Sequence, residues 1–151
     1  MNTLRNSLLI VATLISSLAL SAQTKPNLTG TWELNVQKSD LGGAPITKLA
    51  AQIEHKDPVL KFVVAGKAGG EDFTETETYS SDGTPTTNAR GDQVKVHWDG
   101  TTLVIETTAP DGNALDISRI TLSSDGTNLM RDYERKSAND AQKRHEIYDK
   151  R

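Results

Sequence analysis

Gln93-Val94-Lys95-Val96-His97-Trp98-Asp99-Gly100-Thr101-Thr102-Leu103-Val104-Ile105-Glu106-Thr107 decides the fold. Val94, Val96 and Trp98 fall on one side of an extended chain, and Leu103 and Ile105 on one side of the next. Between the two runs stands Asp99-Gly100, a dipeptide that tolerates the positive φ angles of a two-residue hairpin turn. The stretch therefore reads as a β-hairpin with one face for a core and the other for water.

The same punctuation recurs along the chain at Asp57-Pro58, Gly69-Gly70, Asp82-Gly83, Gly91-Asp92, Asp111-Gly112 and Asp125-Gly126. Such spacing is that of an all-β domain built from hairpins. No run of helical length keeps a 3.6-residue apolar stripe. The pattern predicts strands at about Gly30–Gln37, Thr47–Lys56, Leu60–Ala65, Asp72–Ser80, Pro85–Arg90, Gln93–Trp98, Thr102–Thr107, Ala114–Leu122, Asn128–Lys136 and Lys143–Lys150. So many sequential antiparallel strands leave edges, and closure removes them. The expectation is an antiparallel up-and-down β-barrel of about eight to ten strands. Ser-Ser-Asp-Gly-Thr occurs at 80–84 and again at 123–127, with flanks that do not match, which indicates reuse of one good turn.

Residues 1–22 have the parts of a secretory signal peptide. A start holding Arg5 precedes an apolar centre, Ser7 to Leu20, and a small-residue exit around Ser21 and Ala22. The apolar run is short for a spanning helix, so no transmembrane span is expected after cleavage. Residues 23–151 are then one exported domain, secreted or periplasmic, and read as a monomer. With no cysteine it has neither disulfides nor a site for lipid attachment at the cut, and its core must carry its stability. The formal net charge is −3, and losing Arg5 with a leader that holds no acid takes it one unit further, to −4. A mildly acidic chain with no basic cluster excludes a nucleic-acid partner.

The chemistry-bearing residues are sparse. His55, His97 and His145 stand on three different predicted strands with no close-spaced ligand partner, so no metal or other cofactor is expected. There is no Gly-x-Ser-x-Gly elbow and no phosphate loop, and Glu75 and Glu77 on one strand are poor material for a catalytic carboxylate pair. The chain is read as a non-enzyme. Arg90-Gly91-Asp92 reads as a turn.

Two predicted strands break the apolar alternation. One carries Phe73, Glu75, Glu77 and Tyr79 on one face and only threonines on the other, and the glutamate face is expected to be solvated. The second carries Leu129, Arg131, Tyr133 and Arg135 against Met130, Asp132 and Glu134, and neither face is clearly the apolar one. If the first of these faces inward, Arg131 presents a two-pronged donor to a carboxylate and Tyr133 adds a hydroxyl. Trp32, one of two tryptophans in a chain with 5% aromatic residues, is the expected core anchor of the first strand, and Gly30 leaves room beside it.

Gly30-Thr31-Trp32-Glu33-Leu34 resembles the opening strand of the calycin barrels, the lipocalins and the fatty-acid-binding proteins. Arg131-Asp132-Tyr133-Glu134-Arg135 is similar to the Arg-x-Tyr segment of the fatty-acid-binding proteins. The stretch from Asn27 to Asp40 also looks like the start of small secreted bacterial proteins described only as lipocalin-like. The resemblance implies a barrel closed at one end by Gly30 and Trp32, and a small apolar or amphipathic ligand whose acid group meets Arg131 and Tyr133, with Arg135 beside them. Two departures stand out: the segment from Lys38 to Ala44 is too short for a helical lid, and a further strand follows the Arg-x-Tyr segment. The alternative is an envelope or protein-interaction module with a filled interior and no ligand.

Overall fold

The computed structural model describes residues 24–151; the expected leader, 1–22, lies outside the described residues. Ten strands follow one another: β1 (Gly30–Leu34), β2 (Ile46–Lys56), β3 (Val59–Ala68), β4 (Glu71–Ser80), β5 (Thr86–Thr87), β6 (Gln93–Asp99), β7 (Thr102–Thr108), β8 (Ala114–Leu122), β9 (Asn128–Ser137) and β10 (Gln142–Lys150). They form one antiparallel sheet in the order β4-β3-β2-β1-β10-β9-β8-β7-β6-β5, so every neighbour is a sequence neighbour except at the β1–β10 seam. That seam curls the meander into a nearly closed barrel.

The quoted hairpin is β6–β7. It pairs Val96 with Ile105 and Trp98 with Leu103, and Val94, Val96 and Leu103 are all buried. At the β8–β9 turn, Asp125 Oδ1 accepts from Ser123 Oγ (2.6 Å), Thr127 N (3.1 Å) and Thr127 Oγ1 (2.8 Å), while Gly126 takes a φ of 71°. The other copy of the pentapeptide makes the same local contact, Thr84 N to Asp82 Oδ1 at 2.8 Å. One turn chemistry serves twice.

Two strands are shorter than their patterns predict. β1 stops at Leu34 because Asn35 turns the chain, its carbonyl and side chain both accepting from Lys38 N (3.2 and 3.1 Å). The chain rejoins the seam at Asp40, which exchanges two backbone bonds of 2.8 Å with His145. β5 keeps only two residues, since Asn88 Oδ1 accepts from the amides of Arg90 and Asp92 (2.9 Å each) and bends the chain. No helix occupies the connection between β1 and β2.

The one gap in the wall lies beside β4. It is spanned by Gly83 N donating to the Val96 carbonyl (2.9 Å), by the Asp82–His97 bridge, and by Arg90 reaching Glu75 (3.4 Å). Glu75 and Glu77 stand on the cavity side of β4: Glu75 is exposed, as expected for that face, whereas Glu77 is half-buried. Of its two faces only theirs carries aromatic surface, and Tyr79 packs on Phe62 with ring centroids 5.8 Å apart. The threonine face has nothing apolar to bury, and Thr74, Thr76 and Thr78 are exposed.

One end of the barrel is sealed. Leu28, from the segment before β1, and Trp32 are fully buried, and the indole N–H donates to the Leu28 carbonyl at 3.0 Å. His55 stacks on Trp98 (5.7 Å) and accepts from Leu28 N at Nδ1 (3.3 Å). Gly30 leaves room for its neighbours: a Cβ there would lie 3.2 Å from the Lys150 side chain and 3.5 Å from the Trp32 indole.

Candidate functional site

Above that plug the interior is not filled. A cavity of about 350 Å³ runs from Trp32 towards the end where β1–β2, β3–β4 and β9–β10 turn over. Leu49, Ile53, Phe62, Val64, Ile105, Ile120 and Leu129 line its walls, and charged groups gather on two sides. The volume lies at the small end of ligand pockets, about a dozen waters at roughly 30 Å³ each.

On β9 the face that carries Leu129, Arg131 and Tyr133 is the inward one. Arg131 is not an open fork. Its Nε and Nη2 donate to Ser118 Oγ (3.0 and 2.9 Å) and its Nη1 to Glu146 Oε2 (3.1 Å). Glu146 is fully buried and also accepts from the Tyr148 hydroxyl at 2.7 Å. Burial works against the Arg131 charge, but Glu146 and Tyr148 together hold the guanidinium above its ordinary range. Burial, reinforced by the Glu146 charge, also raises the Tyr148 hydroxyl well above its usual value.

Arg144 completes this wall. Its guanidinium lies 3.9 Å from the centre of the Tyr133 ring, with Arg131 at 5.1 Å from the same ring. Both positions suit a cation over an aromatic face. Arg144 Nε is 3.1 Å from Glu146 Oε1, yet its N–H is not directed at that oxygen, and both atoms lack a hydrogen-bond partner among the described residues. Two guanidinium groups thus share one carboxylate. This wall holds a surplus positive charge.

Arg135, on the same face of β9, sits nearer the mouth and lines the surface there rather than the main cavity. It holds Asp116 through two bonds of 2.7 Å and reaches Asp140 at 3.4 Å. Burial would raise the Asp116 carboxyl, but the bonds and charge of Arg135, together with Tyr133 and the Arg144 charge, keep it below the usual range. On the opposite wall Tyr79 is pushed up to about 12, first by burial and then by the Glu77 charge. Among the described residues no three metal-ligating side chains converge, and no helix is long and apolar enough to cross a membrane.

Sequence reasoning thus singled out Arg131, Tyr133 and Arg135 but missed Arg144, Glu146, Tyr148, Asp116 and Ser118. One signal was available for the β10 set, since period-two spacing puts Arg144, Glu146 and Tyr148 on one face. Pairing the last two strands then sets Glu146 opposite Arg131 and Arg144 opposite Tyr133.

No protein-family model matches the chain, and no curated protein matches it by sequence. Solved structures do. Secretory abundant heat soluble protein 4 from Ramazzottius varieornatus superposes with a TM-score of 0.60 at 14% identity, over 85% of this chain and 99% of that one. Fatty-acid-binding protein 1 of Echinococcus granulosus gives 0.57 at 11%, over 82% and 96%. Zebrafish ileal bile acid-binding protein, solved with cholic acid, gives 0.56 at 13%, over 82% and 98%. At such identities the likeness establishes the fold alone, and the meander, the β1–β10 seam and the tryptophan-sealed end fit a calycin-like barrel fold.

Proposed function

We propose that the protein is an exported, non-enzymatic carrier of a small amphipathic molecule, held in the barrel with its acid group against the β9–β10 wall. The observation that carries this reading is the pairing of two inward guanidinium groups with one buried carboxylate. An anionic group entering the cavity supplies the missing counter-charge, and a charge-assisted hydrogen bond in a dry site is a strong one. The donors open to it are those of Arg144, because Arg131 is already engaged by Ser118 and Glu146. Tyr133 acts by holding the Arg144 guanidinium over the face of its ring. The apolar lining takes the rest of the molecule, and the fatty-acid and bile-acid binders that share the fold are consistent with such cargo.

Displacement of a fluorescent fatty-acid probe tests the reading. Arg144→Met is expected to weaken binding about tenfold or more, the worth of a hydrogen bond to a charged group. Binding unchanged in Arg144→Met, or no binding of any short-chain acid, refutes it. A retained small molecule seen by native mass spectrometry, in protein secreted by its own host, tests cargo and export together.

A further inference from the structure

The cavity carries a second, opposite pole. β4 and β10 lie four strands apart in the sheet order, with β3, β2 and β1 between them, so their inward faces look at each other across the barrel. On β4, Glu75 and Glu77 both line the cavity. Arg90 serves Glu75 at 3.4 Å, but it is also committed to Asp92 at 3.2 Å. Glu77 has no cation within ion-pair distance among the described residues and sits opposite Phe62 in the β3–β4 register, beside Tyr79. This wall therefore has a surplus negative charge, matching the surplus positive charge of the wall facing it.

A plain alkyl acid anchored at Arg144 would lay its tail against Glu77 and strip water from that carboxylate without replacing the lost bonds. Uncompensated burial of a charge is among the most unfavourable events in a binding site. We propose that the cargo is dipolar: an acid group at Arg144 and, at the far end of a short apolar spacer, an ammonium or similar cationic donor at Glu77. This rests on the carrier reading above and names the ligand class for the same cavity. The cavity, about 350 Å³, has room for such a spacer.

Calorimetric titration of the purified protein with octanoate, octylammonium and ω-aminooctanoate tests it, since the three share a chain and differ only in their ends. ω-Aminooctanoate is expected to bind about tenfold more tightly than either mono-ended compound, the effect of one added charged hydrogen bond. Glu77→Gln should remove that advantage and leave octanoate unchanged or tighter. Octanoate binding at least as tightly as ω-aminooctanoate to the unaltered protein overturns the dipolar assignment while leaving the acid anchor standing. No binding by any of the three overturns both. Should Glu77→Gln fold poorly, the ranking on the unaltered protein decides alone.

Discussion

Glu146 is the residue whose loss tests the account of the interior most sharply. It is fully buried, accepts from Arg131 at 3.1 Å and from Tyr148 at 2.7 Å, and lies 3.1 Å from Arg144. Glu146→Leu preserves much of the volume but leaves the Arg131 and Arg144 charges without their shared carboxylate. Breaking a buried ion pair from one side costs about 3–5 kcal/mol. Because the Arg131 side chain keeps 27% exposure, water screens part of the loss and the low end, about 3 kcal/mol, applies. For a domain of this size that lowers Tm by roughly 10–15 °C. The double variant Arg131→Met, Glu146→Leu removes both charges of that pair and should recover part of the loss; what remains is the Arg144 charge left without its carboxylate and the Tyr148 hydroxyl left without its acceptor. Urea unfolding followed by the fluorescence of Trp32 and Trp98 measures all three proteins. A loss under about 1 kcal/mol in Glu146→Leu, or a double variant no more stable than the single, would refute the view that Glu146 exists to neutralise the arginine wall.

Three further outcomes follow from the packing. Gly66→Ala places a Cβ 2.5 Å from the Lys48 carbonyl oxygen and 2.8 Å from Leu49 Cδ1; backbone cannot yield there, so about 1–3 kcal/mol should be lost in urea unfolding. Trp32→Phe deletes the N–H bond to the buried Leu28 carbonyl and should cost about 1–3 kcal/mol, with faster amide exchange at residues 28–32 as the local readout. Asp125 is held down to about 2, first by the Ser123 hydroxyl and then by the Thr127 amide. That lies below the roughly 3.9 of an unfolded aspartate. Its stabilisation is therefore complete above about pH 4 and lost as the pH falls through about 2. Acid titration of Asp125→Asn should show a shallower fall in stability over that window than the unaltered protein shows.

Much of the architecture is local and therefore written along the chain. Alternation fixes which side chains share a face, and Asp-Gly sets where the chain reverses, so all ten strands and their hairpin order were legible from residues such as Val94, Val96 and Asp99-Gly100. Strand ends were less so. β1 and β5 stop early because Asn35 and Asn88 satisfy backbone groups with their own side chains, a competition that hydrophobic pattern does not record.

The site was another matter. On β9 neither face is distinctly apolar, and on β4 the aromatic and acidic residues share one face, so period-two spacing groups the residues without saying which group goes inside. Closure of the barrel decides that, by offering the interior to whichever face buries more non-polar surface and leaving the threonines to water. Register decides the rest. Arg131 reads as an open anion clamp when β9 stands alone; only pairing with β10 brings Glu146 opposite it, and only pairing with β8 brings Ser118 within reach. The strands, the turns and the aromatic anchor Trp32 came from the sequence by itself; the occupied Arg131, the available Arg144 and the two charged walls exist only once strands distant in the chain enclose a common space.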